Sequence, residues 1–80
     1  MARKSKSKRR SSKVSITGRR IKALRVELGY TQTDLAERVR VDTSTVCDWE
    51  TGRSEPRLGR LALVAHALRC PVEYLVGGGR

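Results

Sequence analysis

From Thr17 onward, apolar residues return at helical rather than alternating intervals. Ile21, Leu24 and Leu28 stand at i, i+3 and i+7, which predicts an amphipathic helix that Gly29 ends. Thr31 followed three residues later by Asp34 is a capping-box-like start, with the acid also favoured at a positive helix end. Leu35, Ala36 and Val39 then give a second helix its buried stripe. After a turn of about three residues, Asp42 stands where it can cap a third helix, buried along Val46 and Trp49 and stopped by Gly52. Pro56 introduces a fourth segment with Leu58, Leu61, Ala62, Val64, Ala65 and Leu68, apolar on most of its circumference and therefore expected at the centre. Pro71 at a first helical position, with Val72 and Leu75, begins a final short helix before Gly77-Gly78-Gly79. The expectation is an all-α, compact five-helix domain over residues 16–76, without strand or internal repeat, and a flexible Gly-rich tail over 77–80.

Residues 1–15, MARKSKSKRRSSKVS, break this pattern. They offer no apolar positions to bury, so like-charge repulsion and chain entropy predict a disordered basic arm. The formal charge is +10, from 18 Lys and Arg against 8 acids. Its distribution says more than its total, because residues 1–20 hold nine of the bases and no acid, while the rest is nearly neutral. A basic arm on a neutral body suits a polyanion such as nucleic acid. A membrane partner is not expected, since no apolar run approaches the roughly 18 residues needed to span a bilayer. No apolar stretch follows the basic start as a secretory signal would require, so a cytoplasmic, nucleoid-associated location with reduced, unpaired Cys47 and Cys70 is expected. With 80 residues and 38% hydrophobic content, the core is close to the lower limit for folding alone. Close helix packing or a partner subunit must contribute.

The tight turn between the second and third helices, with small Ala36 where they must cross, describes a helix-turn-helix. Placing Val46 at the centre of the buried side leaves Ser44, Cys47, Asp48 and Thr51 on the opposite side of the third helix, at 100° per residue. Small polar side chains allow a helix backbone to sink into a major groove about 12 Å wide. The stripe lacks Arg, Lys, Asn and Gln, the residues that contact G or A in bidentate fashion. Direct readout should therefore be modest, with the arm, the helix ends and DNA shape carrying much of the affinity. Trp49 reads as core, Cys47 as a small groove-facing residue, and His66 as core or boundary without a second ligand at metal spacing. Asp48 and Glu50 point in different directions on a helix and form no catalytic pair. No enzyme chemistry, cofactor or metal is expected.

"GYTQTDLAERV", "VDTSTVCDWETG" and "LALVAHALRCPVEYLVGG" resemble, in order and spacing, the Cro and lambda-type repressor family of helix-turn-helix domains, also called the XRE family, over about residues 17–78. The resemblance implies a five-helix domain whose third helix, residues 43–51, enters the major groove. It also implies a transcriptional regulator, a repressor rather than an activator, working as a homodimer on a pseudo-palindromic operator in double-stranded DNA. Carried over, it places Thr43, Ser44, Cys47 and Asp48 at bases, and Gln32 with neighbouring Thr31 at phosphates. Thr51 and Arg53 fall where the family grips the backbone, and Arg25 with Glu50 where it ties helix 1 to helix 3. Arg3, Lys4, Lys6, Lys8, Arg9 and Arg10 of the arm would add phosphate contacts. Arg40 and Arg69 occupy positions where the family has glycine, and each costs on the order of 1 kcal/mol if its backbone stays left-handed. Arg57 stands where a small capping residue is usual, and Gly59 weakens the start of helix 4. The rival readings are an antitoxin-type protein-interaction module with DNA autoregulation, and an arm-driven nonspecific nucleic-acid binder.

Overall fold

Helix α1, Ile16–Glu27, begins at Ser15, whose side-chain oxygen accepts from the Gly18 N–H at 3.0 Å. The computed structural model describes residues 15–77. Ser15, expected in the arm, is thus the cap of the first helix. The other expected arm residues, including Arg3, Lys4, Lys6, Lys8, Arg9 and Arg10, lie outside the described residues, as do 78–80. Four helices follow, α2 Gln32–Val39, α3 Thr43–Thr51, α4 Leu58–Ala67 and α5 Val72–Leu75, with no strand among the described residues.

Helix α2 starts with both halves of the capping box in place. Thr31 Oγ1 accepts from the Asp34 N–H, and an Asp34 carboxylate oxygen accepts from the Thr31 N–H, each at 2.9 Å. The Thr31 backbone bond first, and its hydroxyl second, hold the Asp34 carboxyl below its ordinary value, with Arg38 adding a smaller push in that direction. The starts of α3 and α4 differ. Asp42 is the N-cap of α3 but makes no side-chain cap bond, contrary to expectation. Its own carbonyl accepts from the Thr45 N–H at 2.9 Å, the donor that the carboxylate would have taken. Arg57 precedes α4, also without a side-chain cap. Pro71 is the N-cap of α5 rather than its first helical residue.

Four helix ends turn through the same device. Gly29, Arg40, Gly52 and Arg69 have φ of 80°, 59°, 87° and 59°. In each case the following N–H donates to the carbonyl five residues back, as Val41 does to Ala36 and Cys70 to Ala65, both at 3.0 Å. Arg40 and Arg69 therefore keep the left-handed backbone that glycine adopts more easily.

The core unites Ile21, Leu35, Val39, Val46, Trp49, Leu61, Val64, Leu68 and Leu75. Each fully buried aliphatic side chain contributes about 1.5–3 kcal/mol. Helix α3 rests on α1 and α2, α4 on α2, and α5 closes against α1 and α4. The expectation for α4 is corrected on one side. Leu61, Val64, Ala65 and Leu68 are buried, but Leu58 is 79% exposed, and Ala62, Leu63 and His66 also face solvent. No other helix among the described residues covers that arc, and the exposed His66 is neither core nor boundary.

The ends of the described chain meet. Thr17 Oγ1 donates to the Leu75 carbonyl at 2.7 Å, and Arg20 Nη1 donates to the Tyr74 carbonyl at 2.7 Å. The Arg20 guanidinium also lies over the Tyr74 ring, 4.3 Å from its centroid. Gly77, assigned from the sequence to the tail, belongs to this corner: its φ is 80°, and a Cβ there would stand 3.6 Å from Ile16.

Candidate nucleic-acid interface

The residues Arg40-Val41-Asp42 are the whole connection between α2 and α3. Ala36, only 2% exposed, lets the two helices approach closely. Across their outer edge the hydroxyls of Thr33 and Thr43 stand 3.2 Å apart. Val46 and Trp49 anchor the inner side of α3. That rotation leaves Thr43, Ser44 and Thr51 exposed and Cys47 and Asp48 half-buried on the outer side. The polar stripe expected from 100° spacing is therefore one continuous surface.

Glu50 fixes the helix-turn-helix to the rest of the fold. Its carboxylate accepts from Arg25 Nε at 2.6 Å and from Arg25 Nη2 at 3.1 Å, a fork in which the two side chains are 11% and 3% exposed. Arg25 Nη1 donates to the Tyr30 carbonyl at 2.8 Å. Gln32 Nε2 donates to Glu50 Oε1 at 3.0 Å, so the side chain expected at a phosphate is tied inward by one of its two amide hydrogens. One buried carboxylate thus joins α1, the loop before α2, the first turn of α2 and the last turn of α3. The sequence reading missed Gln32 and the Tyr30 carbonyl as members of this network. A side-chain bond across 18 positions leaves no periodic signal.

The remaining candidates stand at helix ends. The capping box uses the N–H groups of Thr31 and Asp34, whereas those of Gln32 and Thr33 between them have no acceptor within a helix. Thr51 turns its hydroxyl back to the Cys47 carbonyl at 2.9 Å, so its proton is committed to its own helix. Arg53 is exposed just beyond Gly52. Beside α3, an open groove of about 780 Å³ is lined by Val41, Thr45, Trp49, Arg57, Gly59 and Arg60, and it joins the edge of α3 to the start of α4. Both cysteines are free thiols, and burial pushes the Cys70 thiol up. Among the described residues no cluster of His, Cys, Asp or Glu could hold a metal ion, and no helix is long and apolar enough to cross a membrane.

A family model described as helix-turn-helix matches residues 21–75, from the buried Ile21 to the buried Leu75. The chain belongs to the helix-turn-helix family, in its Cro and lambda-repressor branch. Among curated relatives it is 43% identical over 60 residues to the immunity repressor protein of Bacillus phage phi105, an overlap that is 75% of this chain and 42% of that one. The chain thus spans less than half the length of that relative. Among solved helix-turn-helix structures it is similar to the P22 c2 repressor in complex with a synthetic operator, with TM-score 0.75 and 34% identity, covering 78% of this chain and 94% of that one. It is also similar to SinR, a master regulator for biofilm formation, in complex with DNA, with TM-score 0.71 and 33% identity over 75% and 97% of the two chains.

Proposed function

We propose that this protein is a sequence-selective, double-stranded DNA-binding transcriptional repressor that inserts α3 into the major groove and binds a pseudo-palindromic operator as a homodimer. The observation that carries the reading is the outward stripe of α3, which is polar, small and continuous on a helix whose other side is locked into the core. The operator and DNA complexes of the P22 c2 repressor and SinR support it, as does the phage repressor relative.

In this reading Thr43, Ser44, Cys47 and Asp48 meet base edges. Asp48 accepts from a cytosine amino group, and the smaller side chains make single bonds or contact a thymine methyl. The first turn of α2, with Thr31 and Gln32, receives a phosphate oxygen on its free N–H groups. Glu50 holds one amide hydrogen of Gln32 and leaves the other for that oxygen. Arg53 grips the backbone beyond α3, and Thr51 joins it by releasing its bond to Cys47. Arg3, Lys4, Lys6, Lys8, Arg9 and Arg10 add phosphate contacts, each worth about 0.9 in the slope of log affinity against log salt.

Selection of bound duplexes from a random pool tests the reading. The expected result is one enriched sequence with two inverted half-sites, bound with preference at rising salt. A pool that stays random, with binding that vanishes as salt rises, would leave only an arm-driven nonspecific binder.

A further inference from the structure

We infer that Thr33 determines specificity at one base: its hydroxyl orients that of Thr43, so that Thr43 accepts from a base amino group and selects adenine or cytosine over guanine or thymine. The inference rests on the reading of α3 as the helix in the major groove and deepens it by assigning one base preference.

Thr33 Oγ1 and Thr43 Oγ1 stand 3.2 Å apart, and either atom could be the donor. Thr33 lies in the first turn of α2 and Thr43 begins α3, and both are exposed. Neither hydroxyl makes another hydrogen bond among the described residues. The two helices thus meet at their outer edge through a pair of groups without a fixed direction. A hydroxyl has one proton to give and two lone pairs to receive. In a bonded pair one proton lies between the two oxygens, and the oxygen that supplies it has none left for another partner. A neighbour that only accepts therefore sets the direction of both.

A DNA phosphate is such a neighbour. The capping box uses the N–H groups of Thr31 and Asp34 and leaves those of Gln32 and Thr33 open to a phosphate oxygen. The other polar side chains of this turn are engaged, since Thr31 Oγ1 accepts from the Asp34 N–H and Gln32 gives an amide hydrogen to Glu50. A phosphate oxygen seated on the Thr33 N–H lies beside the hydroxyl of the same residue and takes its proton, having none to give in return. Thr33 Oγ1 then offers only lone pairs, and the Thr43 proton turns towards it. What Thr43 presents to the groove is a lone pair.

A lone pair at this point discriminates between bases. Adenine N6 and cytosine N4 donate in the major groove, whereas guanine O6 and thymine O4 only accept. An amino group meets Thr43 with a bond, and a keto oxygen meets it lone pair against lone pair. A free hydroxyl would rotate to suit either edge, so the rule belongs to the pair and its sign comes from the DNA backbone. Thr33 is a positioning residue that touches no base. It adds discrimination to a stripe that holds no Arg, Lys, Asn or Gln.

Titrations at one fixed salt concentration test the inference, using the duplex enriched from the random pool and every single-base-pair variant of its half-site. The proteins are the parent, Thr33→Val, Thr33→Ser and Thr43→Val, each checked for folding by circular dichroism. The parent should show one position in each half-site where adenine and cytosine bind about tenfold more tightly than guanine and thymine. Thr33→Val keeps the shape and removes the hydroxyl, and should bring the four bases at that position within about twofold of one another while the other positions keep their preferences. Thr43→Val should flatten the same position, and Thr33→Ser, which retains the hydroxyl, should retain the preference. A parent without such a position overturns the inference. So does a Thr33→Val protein that binds every duplex more weakly by one factor with the preference intact, the mark of a phosphate contact alone. A pool that stays random removes the DNA reading and this rule together, whereas an enriched site whose base preferences ignore Thr33 removes the rule alone.

Discussion

Helices α3 and α4 are built alike on their inner sides and differently on their outer sides. Each buries a short apolar stripe, Val46 and Trp49 in one and Leu61, Val64 and Ala65 in the other. Each also begins without a side-chain cap, unlike α1 and α2, so each depends on packing rather than on local signals. Their outer sides have little in common. That of α3 is hydroxyl, thiol and carboxylate, and that of α4 is leucine, glycine, alanine and imidazole. The inner sides answer the demands of the fold, whereas the outer sides differ in chemistry, one polar and one largely apolar.

The strongest challenge to this comparison is to remove the inner sides. Trp49→Ala should cost about 3–5 kcal/mol and Leu61→Ala about 2–5 kcal/mol in thermal melts. If Trp49→Ala melts like the parent, α3 is not anchored as described. Next comes the charged fork that ties α3, where α4 has instead a bond from Arg60 Nη1 to the Val39 carbonyl at 3.1 Å. Glu50→Gln leaves Arg25 charged and buried without a counter-charge, and should cost about 3 kcal/mol. Because Glu50 also holds Gln32, the same variant should alter DNA affinity beyond its effect on folding. A matching loss from Gln32→Ala in binding, without the loss in stability, would separate the two roles.

A gain of about 1 kcal/mol is expected from Arg40→Gly or Arg69→Gly, since each left-handed residue then loses its Cβ penalty. Absence of any gain at Arg40 would mean that its stem contributes packing that offsets the strain. Asp34→Ala should lower the melting temperature at neutral pH by weakening the cap of α2. The folded Asp34 carboxyl titrates below its unfolded value, so its contribution is present above the ordinary carboxylate range and lost as pH falls through the lowered value. Parent and variant melts should therefore converge in acid.

The smallest stability effects belong on the outer sides. Ser44→Ala and Ala62→Ser should each stay within about 0.5 kcal/mol. Their binding consequences should diverge, with Ser44→Ala changing DNA selection and Ala62→Ser leaving it unchanged. Asp48→Asn removes a phosphate-repelling charge and should raise affinity for arbitrary duplexes in titrations at fixed salt. Any preference for cytosine opposite it should relax by roughly 1–3 kcal/mol.

Five helices, the crossing at Ala36 and the buried Trp49 were legible in the spacing, because burial repeats with the helix period. The capping box was legible because its two partners stand three residues apart. The Arg25–Glu50 bond was carried by resemblance alone, since nothing local links positions 25 residues apart. Asp42 has the right type and place for a cap, and only the structure shows its carbonyl taking the donor. The outer arc of α4 misled the reading for a simple reason. A helix that is apolar on most of its circumference looks the same in sequence whether its far side is covered or, as here, exposed.

The bonds that join Thr17 to Leu75 and Arg20 to Tyr74 place the entry and exit of the domain at one corner. Tension applied between the two chain ends therefore falls on those bonds first and is shared by no helix of the reading surface. Under such a load α1 and α5 peel apart like the two halves of a zip fastener, one contact at a time and at low force. The α2–turn–α3 unit, clasped by Glu50 behind this seam, is mechanically shielded until the seam has opened.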